Sequence, residues 1–95
     1  MRAFITGSRR YGTPRPDSDV DLVVLLEGSA HDLLMQLGTT EPDNPYAQVR
    51  FGVLNIITLQ DADEFERWRQ VTEELERRAP VTREEAVAAL KAAGL

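Results

Sequence analysis

The sequence contains no cysteine, which removes disulfides, zinc–thiolate sites and thiol nucleophiles together. No apolar run exceeds five residues, as in Leu22 to Leu26, against about 20 for a helix that crosses a bilayer. The first residues, Met1-Arg2-Ala3-Phe4, carry one basic group and no apolar stretch of secretory-signal length, so a cytoplasmic location is expected. Histidine occurs once, as His31, early on an expected helix and off its apolar stripe, where it is read as an exposed residue without a role. Of the 11 basic residues only Lys91 is not arginine, a bias of genomic base composition rather than of function.

What remains is ordinary for a soluble domain. Ninety-five residues, 42% apolar and 28% charged, suit a single globular domain spanning 1–95. A chain of this size has a thin core, so shared burial with a protein partner or a second copy is expected. The net charge of −5 argues against non-specific binding to nucleic acid. Its distribution is uneven. Before Asp17 there are four arginines (Arg2, Arg9, Arg10, Arg15) and no acid, while nine acids and six bases follow from Asp61. An anionic ligand would be met by the first sixteen residues.

Hydrophobic periodicity predicts an α+β fold, a small mixed sheet with helices packed on it. Residues 1–6 read as a strand ending at Gly7, and Gly7 to Asp17, with its glycines and prolines, as a loop. Asp19 to Leu26 is the strongest strand, with Asp19, Asp21, Val23 and Leu25 on one face and Val20, Leu22, Val24 and Leu26 on the other. Both faces become apolar beyond Asp21, so this strand should be central and covered on both sides. A helix from Ser29 carries Ala30, Leu33, Leu34 and Leu37 on one stripe and stops at Gly38, before a loop over 39–45. Gln48 to Leu59 reads as one long strand with Val49, Phe51, Val53, Asn55, Ile57 and Leu59 on one face and Gly52 as a bend. A helix beginning at Asp61 or Asp63 shows Phe65, Trp68, Thr72, Leu75 and Ala79 at spacings of three and four, and stops at Pro80. Thr82 and Glu85 form a capping box opening a final helix.

The chemistry concentrates in Gly7-Ser-Arg-Arg-Tyr-Gly-Thr-Pro-Arg-Pro-Asp-Ser-Asp-Val-Asp21. Asp19 and Asp21 are two residues apart on a strand, about 7 Å along the backbone, and leave the same face. Two like charges on a low-dielectric face are costly unless neutralised. Their own strand supplies no base, so a divalent cation, magnesium or manganese, is the natural neutraliser. Gly7 lets the backbone approach an anion, Ser8 can donate to phosphate oxygens, and Arg9 and Arg10 follow as phosphate partners. A Walker loop and a Gly-x-Gly-x-x-Gly are both absent. The Asp17-x-Asp19-x-Asp21 start of a calcium loop fails at Leu22 and Gly28. Tyr11 could stack on a base, although packing against its own loop is the simpler role. Asn55 is a polar residue on an otherwise apolar face.

Gly7-Ser8, ten intervening residues, then Asp19-x-Asp21 resembles the signature of the DNA-polymerase-beta-like nucleotidyltransferases, in particular the minimal nucleotidyltransferases. The resemblance covers residues 7–22 closely and the element order to about Arg67, and the last helix adds nothing to it. It implies a nucleotidyltransferase-like fold, Asp19 and Asp21 as the catalytic metal-binding pair, and Gly7, Ser8, Arg9 and Arg10 at the triphosphate of ATP or another nucleoside triphosphate. The activity implied is magnesium-dependent transfer of a nucleoside monophosphate to a hydroxyl acceptor. The family's third carboxylate should fall on the Gln48–Leu59 segment, which has no acid; Asn55 occupies the weakened position. Asp61 shares its parity but lies about 20 Å along an extended strand. Members also commonly begin with a helix ahead of the first strand. Two alternatives follow. One is an eroded module that binds nucleotide or metal without transfer. The other is an antitoxin that partners a helical RNase-type toxin, as its ten-residue spacing resembles that of antitoxin nucleotidyltransferases.

Overall fold

The computed structural model describes residues 2–26, 28–37, 39–40 and 47–95. In chain order the elements are β1 (Arg2–Thr6), α1 (Ser8–Tyr11), β2 (Val20–Leu25), α2 (Ser29–Leu37), β3 (Thr39–Thr40), β4 (Ala47–Phe51), β5 (Leu54–Leu59), α3 (Ala62–Arg77) and α4 (Arg83–Ala92). The sheet order is β1-β2-β5-β4-β3. β2 runs antiparallel to β1 and parallel to β5, and β4 is antiparallel to both β5 and β3. This is a mixed sheet with helices packed on it, as expected, and the strand carrying Asp21 is interior.

Alternation along β2 decides the two faces. Val23 is fully buried and faces α3, where Ile57, Leu59, Phe65 and Trp68 complete one core cluster. Val24 points the other way, toward the α2 side of the sheet, with Leu22, Leu26 and Ile56. α3 packs as its spacing predicts: Phe65, Trp68, Thr72 and Leu75 are all buried. Asp61 caps its N-terminus by accepting from the amides of Asp63 (2.8 Å) and Glu64 (3.3 Å), satisfying donors that the first turn leaves open. The helix ends at Arg77, so Ala79 lies beyond it. A buried hydroxyl pair, Thr6 Oγ1 and Thr72 Oγ1 at 2.9 Å, ties β1 to α3. The capping box at Thr82 and Glu85 is present and opens α4.

Three sequence expectations are corrected. The loop after Gly7 begins with a single helical turn, α1, too short to leave a periodic trace. Gln48 to Leu59 is not one strand but a hairpin, with Phe51 paired to Leu54 across Gly52-Val53. Gly52 has φ +60°, the positive value that a two-residue type II′ turn requires at its first central position. The turn resets the parity, so Val49 shares a face with Ile56, not with Asn55. The third correction concerns His31, which is half-buried, its Nδ1 shielded and without a hydrogen-bond partner among the described residues. Met1, Glu27, Gly38 and residues 41–46, which include most of the expected second loop, lie outside the described residues. Among the described residues no helix is long and apolar enough to cross a membrane.

Candidate active site

The hairpin builds a row of polar side chains across three strands. Asp21 is in register with Asn55 on β5, and Asn55 is in register with Arg50 on β4. Partners in register project to the same face, here the one toward α3. The strand of the two acids carries no base, as read from the sequence, but β4 brings one to them: Arg50 Nη1 lies 2.6 Å from Asp19 Oδ2. Asn55 Nδ2 donates to Asp21 Oδ1 at 3.2 Å.

The two acids thus differ in their partners. Asp19 is held by a guanidinium. Asp21 accepts from the Asn55 amide, and burial raises its carboxyl above its ordinary value. The hydrogen bond from Asn55 works against that rise, the neighbouring Asp19 charge adds to it, and the charge of Arg50 counteracts it.

Gly7 stands directly against this carboxylate. Its backbone has φ +82°, and a Cβ placed there would fall 2.2 Å from Asp21 Oδ2. No side chain fits such a gap, so glycine is needed both for conformation and for the close approach. Arg9 gathers the following loop: its Nη2 donates to the carbonyls of Ser18 (2.8 Å) and Pro16 (3.3 Å), and its Nε also donates to Ser18 (3.1 Å). That brace leads the chain back to Asp19.

Gly7, Ser8, Asp19, Asp21 and Asn55 line a common cleft of about 860 Å³, within the range of small-molecule sites, about 300–1,000 Å³. Arg9 and Arg10 do not line it. Arg10 instead donates to Glu76 Oε2 (2.8 Å) and to the Ile5 carbonyl (3.0 Å). The arginines of the cleft are Arg50 and Arg83. Sequence reading missed both. Arg50 was hidden by the parity change at Gly52, which a strand of twelve residues, about twice the usual length, could have signalled.

It also missed the opposite wall, formed by Val81, Thr82, Arg83, Ala86, Val87 and Leu90. The last helix, to which sequence reading assigned no place in the site, thus lines the cleft. Val81 N donates to Tyr11 O at 2.8 Å, and Tyr11, Leu75, Val81 and Ala86 form a second core cluster that seats α4 beside the cleft. Tyr11 is consequently buried in packing.

Residues 1–81 match the family model of the nucleotidyltransferase domain. The chain belongs to this family. No curated protein and no solved structure matches it. The match ends at Val81, so α4 walls the cleft of this nucleotidyltransferase domain from outside the matched region. Nucleotidyltransferase domains generally use a nucleoside triphosphate and a divalent metal. Among the described residues no three His, Cys, Asp or Glu side chains converge. The oxygen donors are two carboxylates and Asn55 Oδ1, which is buried with no hydrogen-bond partner among the described residues. Hard oxygen donors of this kind, one of them orphaned, fit a magnesium- or manganese-like ion.

Proposed function

We propose that the cleft binds a nucleoside triphosphate with a divalent cation and transfers the nucleoside monophosphate to a hydroxyl acceptor. The observation that carries the reading is the contact of Gly7 with Asp21, which puts the Gly7-Ser8 turn and the acidic pair on one wall. Ser8 offers its hydroxyl and amide to phosphate oxygens. Arg50 and Arg83 supply positive charge in the cleft, in place of Arg9 and Arg10. Asp19, Asp21 and Asn55 Oδ1 would hold the cation, which neutralises charge developing on the transferring phosphoryl group. The apolar surface of Ala86, Val87 and Leu90 suits a nucleobase, whose faces are apolar. In the transfer, the acceptor oxygen bonds to the α-phosphorus as the bond to the β-phosphate oxygen breaks. Pyrophosphate leaves, and the hydroxyl proton passes to water.

Labelling of an acceptor with α-radiolabelled ATP and magnesium tests this. Asp19→Asn and Asp21→Asn should each abolish the signal while the fold persists by circular dichroism. Retained labelling in either variant would falsify the assignment.

A second reading, a module that binds nucleotide or metal without transfer, is favoured by Asn55. Its amide stands beside Asp21 where a further carboxylate would be expected, and an amide accepts no proton near neutral pH. Asn55→Asp separates the two: activity gained over a silent parent supports erosion, and an already active parent removes it.

A further inference from the structure

We propose that Arg50 is an exchangeable counter-ion, holding Asp19 through their ion pair and passing to the nucleotide phosphates when the cation arrives. This rests on the nucleotide-and-cation reading above and adds a regulation of the same site. The Arg50–Asp19 contact is short, 2.6 Å, and both side chains reach solvent, at 35% and 41% exposure. An ion pair of that exposure is weak and can be exchanged. Its position follows from register. Arg50, Asn55 and Asp21 form a cross-strand row, so the guanidinium reaches past Asn55 to the carboxylate that precedes β2. Arg50 also lines the same cleft as Ser8 and Gly7. A guanidinium matches carboxylate and phosphate oxygens equally well, through the same planar fork of donors.

The ion pair balances the charge of Asp19. A divalent cation must displace the guanidinium from this oxygen, so Arg50 opposes binding of the cation alone. Once displaced, it lies in the cleft as a donor for an oxyanion, so it favours binding of the cation–nucleotide pair. The consequence is coupled loading: each ligand binds better in the presence of the other.

Opposite changes in two measurements on Arg50→Gln test the proposal. Titrated with Mn²⁺ alone, by calorimetry or by loss of the free-ion spin-resonance signal, the variant should bind about three- to tenfold more tightly than the parent, the scale of losing one half-exposed competing pair. Titrated with a non-hydrolysable ATP analogue at saturating magnesium, it should bind more weakly by a similar factor. Damage to the fold would weaken both arms together, so the opposite signs exclude a merely structural role. Arg50→Lys should lie between parent and Arg50→Gln in both arms. Arg83→Gln, which removes a cleft arginine with no acidic partner in the row, should weaken only the nucleotide arm.

Unchanged or weaker Mn²⁺ binding by Arg50→Gln, with a parent that binds both ligands, overturns the exchange while leaving the proposed function standing. A parent that takes up neither ligand overturns both.

Discussion

The two faces of the sheet are made from the same strands and reach different degrees of closure. The face toward α3 is sealed: Val23, Phe65 and Leu75 are 0–1% exposed, and the polar row of Asp21, Asn55 and Arg50 sits at its end. The face toward α2 is half-covered. Val24 and Val49 are buried there, but Leu33 is 56% exposed and Ile5 and Phe51 about 40%. A nine-residue helix cannot cover what a sixteen-residue helix with α4 behind it can. The difference teaches that the sealed face is where stability and chemistry coincide. Residues that aim Asp21 are anchored in a packed interior, as a preorganised site needs.

The largest effect should come from cutting that interior. Phe65→Ala removes a ring that is 1% exposed and packs edge-on against Phe4 at 5.1 Å. It should destabilise by about 3–5 kcal/mol, while Leu33→Ala on the open face should stay within about 0.5 kcal/mol, both read from urea denaturation. Equal losses at the two positions would break the contrast.

Next comes Gly7→Ala. Its Cβ meets Asp21 at positive φ, so we expect a loss of about 1–3 kcal/mol from backbone strain. Nucleotide binding should weaken as well, because Asp21 or the turn must move. A variant that binds nucleotide as the parent does would show that the contact is not part of the site.

Asp61→Ala tests how α3 is held. Loss of the cap at Asp63 and Glu64 should cost about 1 kcal/mol, with the denaturant slope unchanged.

The smallest effect concerns the buried carboxyl on the sealed face. Burial raises the Asp21 carboxyl, so the native state binds its proton more tightly than the unfolded chain does. Stability tied to this group is therefore present at low pH and lost as pH rises through the raised value. Asp21→Asn should give a slight gain in melting temperature at pH 7, and the gap to the parent should close as the pH is lowered below that value. A variant less stable than the parent at pH 7 would mean that the ionised carboxylate is a net stabiliser.

Much of this was legible in the residues. The alternation of Asp19 to Leu26 identified an interior strand with both acids on one face, because the side-chain period of a strand is two. The three-and-four spacing of Phe65, Trp68, Thr72 and Leu75 named the buried stripe of α3. Thr82 with Glu85 marked where α4 starts, because capping is local chemistry. The misreading at Gly52 has an equally local origin. A two-residue turn leaves an apolar alternation on both sides of it, and only the excess length betrays it.

Local chemistry therefore specified β1, β2 and the three longer helices, the capping box at Thr82 and the spacing of Gly7-Ser8 from Asp19 and Asp21, since each depends on neighbours a few residues away. The partners of those acids came from elsewhere. Arg50 reaches Asp19 because a hairpin folds it back over β5, and α4 faces the cleft because Val81 bonds to Tyr11, seventy residues earlier in the chain. Such contacts depend on register and packing between distant segments, and no periodicity along the chain encodes them.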